Sequence, residues 1–232
     1  FDHALRVSNQ PRNFAAIEAI LNYADISVSA DDLTELKASF SQYHDVDNAN
    51  LVNDTRVIKP GDVFCAVIGS LRDGREYIAQ ALAANCSMII QETTEPSAHG
   101  QVSWVQKTGT QAIAILNYFN LNQDLFNVAK AFYGAPQQAM NVIGITGTNG
   151  KTSTSQIIAN LLDYCQKNCA VIGTNGAGKL SNLHNIENTT PGATELHQLL
   201  ASFNQQQITD VAMEVSSHAL AQRRVSAALF NT

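Results

Sequence analysis

Three things are scarce or missing in this sequence, and each absence excludes a class of protein. No apolar run reaches the roughly 18 residues that a membrane span needs. The best candidate, Ala79–Ile90, is interrupted by Gln80, Asn85 and Ser87. Basic side chains are outnumbered, 14 Lys and Arg against 20 Asp and Glu, for a net charge of −6. That balance argues against nucleic acid or anionic lipid as the main partner, although phosphates held by backbone amides remain open. Cysteines are few: Cys65, Cys86, Cys165 and Cys169 have no second pair or His cluster at zinc spacing. They are expected to be small buried thiols, and with no signal-like start the expectation is a reducing cytoplasm.

What is present is a core-forming chain. At 232 residues and 45% apolar, it can offset the entropy of ordering and fill one large domain or two of about 100–150 residues. Val63–Ile68, Ser87–Gln91 and Val102–Gln106 read as strands, and Glu76–Ala84 has helical spacing. The apolar positions Ile113, Leu116, Phe119, Leu125, Val128 and Phe132 predict one or two helices between Thr110 and Tyr133. Gly134-Ala135-Pro136 breaks the pattern and predicts a boundary between domains at 1–135 and 136–232.

Beyond that boundary, strands are expected at Asn141–Ile145, Ala170–Gly173 and Thr209–Val215, with a fourth starting at Ala228–Phe230. Helices are expected at Thr152–Gln166, buried through Ile157, Ile158, Leu161, Leu162 and Cys165, and at Thr194–Gln206, capped by Thr194. This is an α/β fold with a mostly parallel sheet flanked by helices. Ligands on such sheets sit beyond the carboxyl ends of the strands, so attention falls on the loops after Ile145, Gly173 and Val215.

The first of these loops carries Gly147-Thr148-Asn149-Gly150-Lys151-Thr152 between a strand and a helix. A helix start offers unpaired N–H groups and the positive end of the dipole to a phosphate. The two glycines let the backbone wrap the anion, Lys151 can reach the outer phosphates, and the Thr152 hydroxyl suits Mg²⁺. The general phosphate-loop pattern asks for Gly where Ile145 stands. A second stretch, Gly173 to Lys179, has the spacing but ends in Leu180 instead of a hydroxyl residue. It reads as a mobile loop and is rejected as a phosphate cradle. Glu214, in Met213-Glu214-Val215-Ser216-Ser217-His218, ends a buried strand, where a carboxylate is costly unless paired or metal-bound. It is a candidate metal-holding acid. His218 on its own is as readily a structural hydrogen bonder. Asn188-Thr189-Thr190-Pro191-Gly192 supplies an amide and two hydroxyls before a helix, or an ordinary cap.

The GTNGKT loop without the first glycine resembles the Mur ligase superfamily, shared with folylpolyglutamate synthetase. Asn53-Asp54-Thr55-Arg56, then Lys59-Pro60-Gly61-Asp62-Val63-Phe64, the Asn188–Pro191 block, and Met213–His218 with Gln222 and Arg224 resemble its muramoyl-peptide branch. The resemblance covers the chain from about residue 50 onwards. It implies that ATP and Mg²⁺ phosphorylate the free D-glutamyl carboxylate of UDP-N-acetylmuramoyl-L-alanyl-D-glutamate. An amino acid's amine then attacks to form an amide, adding the third residue of the peptidoglycan stem. Meso-diaminopimelate is expected more than L-lysine, by frequency in the family.

Carried over by position, Gly147, Thr148, Asn149, Gly150, Lys151, Thr152 and Ser153 would bind ATP. Lys151 and Glu214 would be catalytic, with Thr152 and Glu214 on the metal. Asn188, Thr189, Thr190, Ser216, Gln222 and Arg224 would hold the muramoyl-dipeptide. Asn53 and Thr55, with the Ser70-Leu71-Arg72 loop, would contact the uridine diphosphate, making 1–135 a uridine-nucleotide-binding domain and 136–232 a P-loop-type central domain. A cytoplasmic monomer is expected, without nucleic-acid or membrane partners. The sequence opens on Phe1 and stops straight after an apolar run, so a fragment of a longer protein is expected. The family's downstream Asp-His pair, carbamylated Lys and C-terminal domain are not among the 232 residues, so this chain alone is expected to bind nucleotide sugar without ligating. Alternatives are a non-catalytic nucleotide-sugar-binding module, another Mur ligase, or a folate-polyglutamylating enzyme; the blocks before the phosphate loop favour the muramoyl substrate.

Overall fold

The computed structural model describes residues 14–41, 49–70, 72–106 and 112–231. These fall into two compact units, one within Gln10–Gly134 and one within Ala135–Thr232.

The N-terminal unit opens with two helices, α1 (Phe14–Tyr23) and α2 (Ala30–Ser41). Ser29 and Asp32 cap α2 reciprocally: Asp32 N–H donates to Ser29 Oγ at 3.1 Å, and that hydroxyl donates to the Asp32 carboxylate at 2.7 Å. Then follow β1 (Leu51–Val52), β2 (Val63–Ala66), α3 (Ile78–Ala83), β3 (Met88–Thr93), β4 (Val102–Val105), β5 (Ile113–Phe119) and α4 (Leu121–Phe132). The sheet order is β1-β2-β3-β5-β4, parallel except where β4 runs against β5. Phe64, Ile89, Ile115, Ala81 and Cys86 form the core between one face of the sheet and α3.

The expectation of helix between Thr110 and Tyr133 is half corrected. Ile113–Phe119 is a strand pairing with β3 and β4, and only Leu121–Phe132 is helical. Positions 113, 116 and 119 have helical spacing, but Ile113, Ala114, Ile115 and Leu116 are all buried, as a strand interior to a covered sheet requires.

Lys59-Pro60-Gly61-Asp62 proves to be an anchored turn. The buried Asp62 carboxylate accepts from the N–H of Asn50 at 2.9 Å and of Lys59 at 2.8 Å, tying the entry of β1 to the turn before β2. Asp62→Ala strands both amides and is expected to destabilise the protein by about 2–4 kcal/mol, since each unsatisfied buried group costs ~1–3 kcal/mol. A lowered urea midpoint for the variant checks this; an unchanged midpoint contradicts it.

The C-terminal unit contains β6 (Asn141–Ile145), α5 (Lys151–Tyr164), β7 (Cys169–Gly173), β8 (Gly176–Lys179), β9 (Asn182–His184), α6 (Ala193–Gln205), β10 (Asp210–Glu214) and α7 (Ser217–Ala221). Its sheet order is β6-β10-β7-β8-β9. β10 is parallel to both neighbours, and β8–β9 is an antiparallel hairpin extending the sheet. The Gly173–Lys179 stretch is therefore a turn and a paired strand, not a mobile loop. Gly-Ala-Gly has too few side chains to display the alternation by which a strand is recognised.

Three further expectations change. The helix expected to start at Thr194 is capped at Gly192, and Thr194 lies buried in its first turn. Ala227–Leu229 is a 3-10 turn, after which Asn231 N–H donates to the Val142 carbonyl at 3.0 Å. On α5 the side packed to the sheet is Ser155, Ile158, Ala159 and Leu162, whereas Ile157, Leu161 and Tyr164 are 58%, 60% and 88% exposed. Cys165 is exposed too, while Cys65, Cys86 and Cys169 are the buried thiols expected. Burial pushes the Cys169 thiol up to about 12, with Asp163 and Asp210 adding to the effect, so it stays protonated. No helix among the described residues is long and apolar enough to cross a membrane.

Candidate functional site

Three parallel strands, β6, β10 and β7, end at one edge of the C-terminal sheet. The register pairs Glu214 with Ile145 and Met213 with Ile172, so the last residue of β10 stands between the loop after β6 and the loop after β7. The geometry follows from that register.

The loop after β6 needs its glycines. Gly147 has φ +145° and Gly150 φ +80°, conformations that side chains disfavour. Gly150 is the N-cap of α5 with no side-chain cap, and the first backbone bond into the helix is Thr154 N–H to the Gly150 carbonyl at 2.9 Å. The N–H groups of Lys151, Thr152 and Ser153 lie ahead of that bond, where a helix has no internal acceptors. Lys151 Nζ donates to the Gly147 carbonyl at 2.7 Å, which folds the ammonium over the same loop. Backbone donors, dipole and cation converge as an oligophosphate requires.

Glu214 is 1% exposed, and among the described residues hydroxyls and an amide satisfy its carboxylate. Oε2 accepts from Thr152 Oγ1 at 3.0 Å and from Thr174 Oγ1 at 3.2 Å, and Oε1 accepts from Thr174 N–H at 2.9 Å. A Cβ on Gly173 would collide with this carboxyl group, so only glycine at the end of β7 leaves it room. The donor set of a Thr hydroxyl and a carboxylate, all oxygen, suits Mg²⁺, which takes one or two protein oxygens and keeps water on its other positions. Thr152 and Glu214 fit such a cation.

The threonines of the Asn188–Pro191 block join the same cluster. Thr189 Oγ1 lies 3.1 Å from Thr174 Oγ1. The buried Thr190 hydroxyl donates to the Glu214 carbonyl at 2.9 Å and accepts from Ser216 N–H at 3.0 Å, while Arg224 Nη1 donates to the Thr190 carbonyl at 3.1 Å. Nearby on α6, burial and then Glu187 raise the Glu195 carboxyl above its ordinary range, with Arg224 opposing. Ser216 Oγ accepts from Ala219 N–H at 3.2 Å as the cap of α7. Asn188 and Gln222 are exposed and outside this network of bonds, as is His218.

In the N-terminal unit, Asn53–Thr55 follow β1, and Ser70 and Arg72 follow the adjacent parallel strand β2, at the carboxyl edge of their sheet. Thr55 Oγ1 donates to Gln80 Oε1 at 2.9 Å. An Asp-x-Arg pair shapes each loop: Asp54 accepts from Arg56 N–H and Asp73 from Arg75 N–H, and each guanidinium binds its aspartate through Nε and Nη2. Those arginines hold both carboxyls below the usual range. Ser70 and Arg72 are exposed; Leu71 lies outside the described residues. The loop is pinned from below, Ile68 N–H to Glu92 Oε2 at 2.6 Å and Asn122 Nδ2 to the Ile68 carbonyl at 2.9 Å. Glu92, Asn122 and Thr174 were not legible in the sequence. The only signal for Thr174 was a hydroxyl directly after a buried strand.

Residues 145–232 match the Mur ligase middle domain. A solved structure of a UDP-N-acetylmuramoyl-L-alanyl-D-glutamate–2,6-diaminopimelate ligase superposes with a TM-score of 0.59 at 26% identity, covering 88% of this chain and 37% of that one. Residues 145–232 belong to the Mur ligase middle-domain family. The chain is 35% identical over 199 residues to the diaminopimelate ligase of the same name from Haemophilus influenzae (strain 86-028NP), and 40% identical over 181 residues to that of Coxiella burnetii (strain RSA 493 / Nine Mile phase I). These alignments take in 86% and 78% of this chain, which spans 38% and 35% of the two relatives' lengths.

Proposed function

We propose that this chain is the nucleotide-sugar-binding and phosphate-loop portion of an ATP-dependent acid–amino-acid ligase that joins meso-diaminopimelate to UDP-N-acetylmuramoyl-L-alanyl-D-glutamate. The names of the curated relatives support that substrate pair. The observation that carries the reading is the 3.0 Å bond from Thr152 at the helix start to the buried carboxylate of Glu214. It joins a phosphate cradle to a cation-holding acid at the edge of a parallel sheet.

The D-glutamyl carboxylate attacks the terminal phosphorus of ATP, forming an O–P bond as the bond to ADP breaks. The amine of the amino acid then attacks the acyl carbon, releases inorganic phosphate and gives up a proton to solvent. The amides of Gly147–Ser153 and the ammonium of Lys151 hold the outer phosphates and screen their charge from the incoming carboxylate. Thr152 and Glu214 hold Mg²⁺, which when bound neutralises charge on the transferred phosphoryl group. Asn188, Thr189, Thr190, Ser216, Gln222 and Arg224 orient the muramoyl-dipeptide; Arg224 suits its carboxylates. Asn53, Thr55, Ser70, Leu71 and Arg72 bind the uridine diphosphate end.

The test is product formation by the complete ligase that carries this chain. ADP release dependent on both the nucleotide dipeptide and diaminopimelate, with tripeptide as product, is expected. Release dependent on a folate and glutamate instead would overturn the substrate. Tight nucleotide-sugar binding with no turnover would make the protein a binding module.

A further inference from the structure

The loop after β7 contributes a residue that the phosphate-loop and muramoyl motifs do not include. Thr174 grips Glu214 twice, through its N–H to Oε1 at 2.9 Å and through its hydroxyl to Oε2 at 3.2 Å. A hydroxyl has one proton. If that proton goes to Oε2, the 3.1 Å contact with Thr189 is Thr189 donating to Thr174, and the three groups form one directed chain from Thr189 to Thr174 to Glu214. Thr152 donates to the same Oε2 at 3.0 Å. A carboxylate is free to rotate about its last torsion, which is broad for glutamate. Here the two bonds from Thr174, one to each oxygen, fix the plane of the group and leave Oε2 facing Thr152.

We propose that Thr174 is a positioning residue that orients the Glu214 carboxylate for the divalent cation, and that its hydroxyl links that carboxylate to the substrate-facing Thr189. The inference rests on the reading of Thr152 and Glu214 as the cation site. Outer groups that orient a metal ligand typically contribute 10–100-fold to metal affinity. Thr174 is exposed at a turn, so removing its hydroxyl leaves the core untouched. The backbone bond to Oε1 survives substitution by Val or Ser, which isolates the role of the side chain. Because binding at one end of the chain constrains the other, occupancy of the muramoyl site should tighten cation binding, and the reverse by the same factor.

The experiment measures Mn²⁺ affinity by electron paramagnetic resonance in the complete ligase with a non-hydrolysable ATP analogue, with and without the nucleotide dipeptide. Thr174→Val, which keeps the shape and loses the hydroxyl, is expected to bind Mn²⁺ about 10-fold more weakly and to lose the enhancement by the dipeptide. Thr174→Ser is expected to restore both, and the thermal midpoints of the two variants are expected to agree. Wild-type Mn²⁺ affinity in Thr174→Val, or equal losses in the Val and Ser variants, would overturn the assignment. If the wild-type protein itself binds no Mn²⁺ with the nucleotide, the underlying reading of the cation site fails instead.

Discussion

Lys151→Ala is expected to lower the rate of ligation by about 10²–10³-fold, the scale on which one preorganised charge-stabilising donor acts. Lys151 projects from the first turn of α5 and already lies over the loop, bonded to the Gly147 carbonyl. It loses no core packing when truncated, so the fold should be unchanged while the outer phosphates lose their cation. Lys179, the other lysine after a Gly-rich stretch, sits exposed on β8 opposite Asn182. Lys179→Ala should leave the rate within about 2-fold, as surface substitutions usually do. Steady-state ADP release by the two variants of the complete ligase checks the pair, and equal losses would contradict the choice of cradle.

Glu214→Gln is expected to weaken cation binding by about 100-fold or more, with little effect on folding. The carboxamide fills the same volume, and its oxygen can keep the bond from Thr174 N–H. Its NH₂ then faces Thr152 and Thr174, whose hydroxyls can turn to accept. The negative charge is lost while the hydrogen bonds are kept, so affinity for the cation falls without an orphaned polar group. Glu214→Ala behaves differently: it leaves Thr174 N–H and two hydroxyls around a cavity and is expected to destabilise as well, by ~1–3 kcal/mol. Mn²⁺ titration with thermal melts of both variants separates the two effects. Unaltered affinity in Glu214→Gln would remove Glu214 from the cation site.

How much of this was legible depended on whether side chains carried the signal. The loop from Gly147 to Thr152 was readable because its glycines, lysine and hydroxyl stand next to each other in sequence, between a strand and a helix. Glu214 was readable because a lone acid ending an apolar strand is costly without a partner. Its partnership with Thr174 was not, because 40 residues separate them and only the register of β10 against β7 brings Glu214 beside Gly173. The strand Ile113–Phe119 was misread because a covered strand and a helix face can share an i, i+3 spacing. Ile157, Ile158, Leu161, Leu162 and Cys165 share a helical face by spacing, yet on α5 the small Ser155 and Ala159 make the close approach while Ile157 and Leu161 point outward. Lys59–Asp62, part of the block that carries the family resemblance, is an anchored turn, with its aspartate holding two backbone amides.

Ligation by this route requires the triphosphate to dock at the start of α5. A crystal structure of the complete ligase with Mg²⁺ and a non-hydrolysable ATP analogue measures that directly. The predicted result is a β,γ-phosphate pair against the N–H groups of Gly147 to Ser153, with the cation on the Thr152 hydroxyl. A triphosphate bound elsewhere, with those amides facing only solvent, would contradict it.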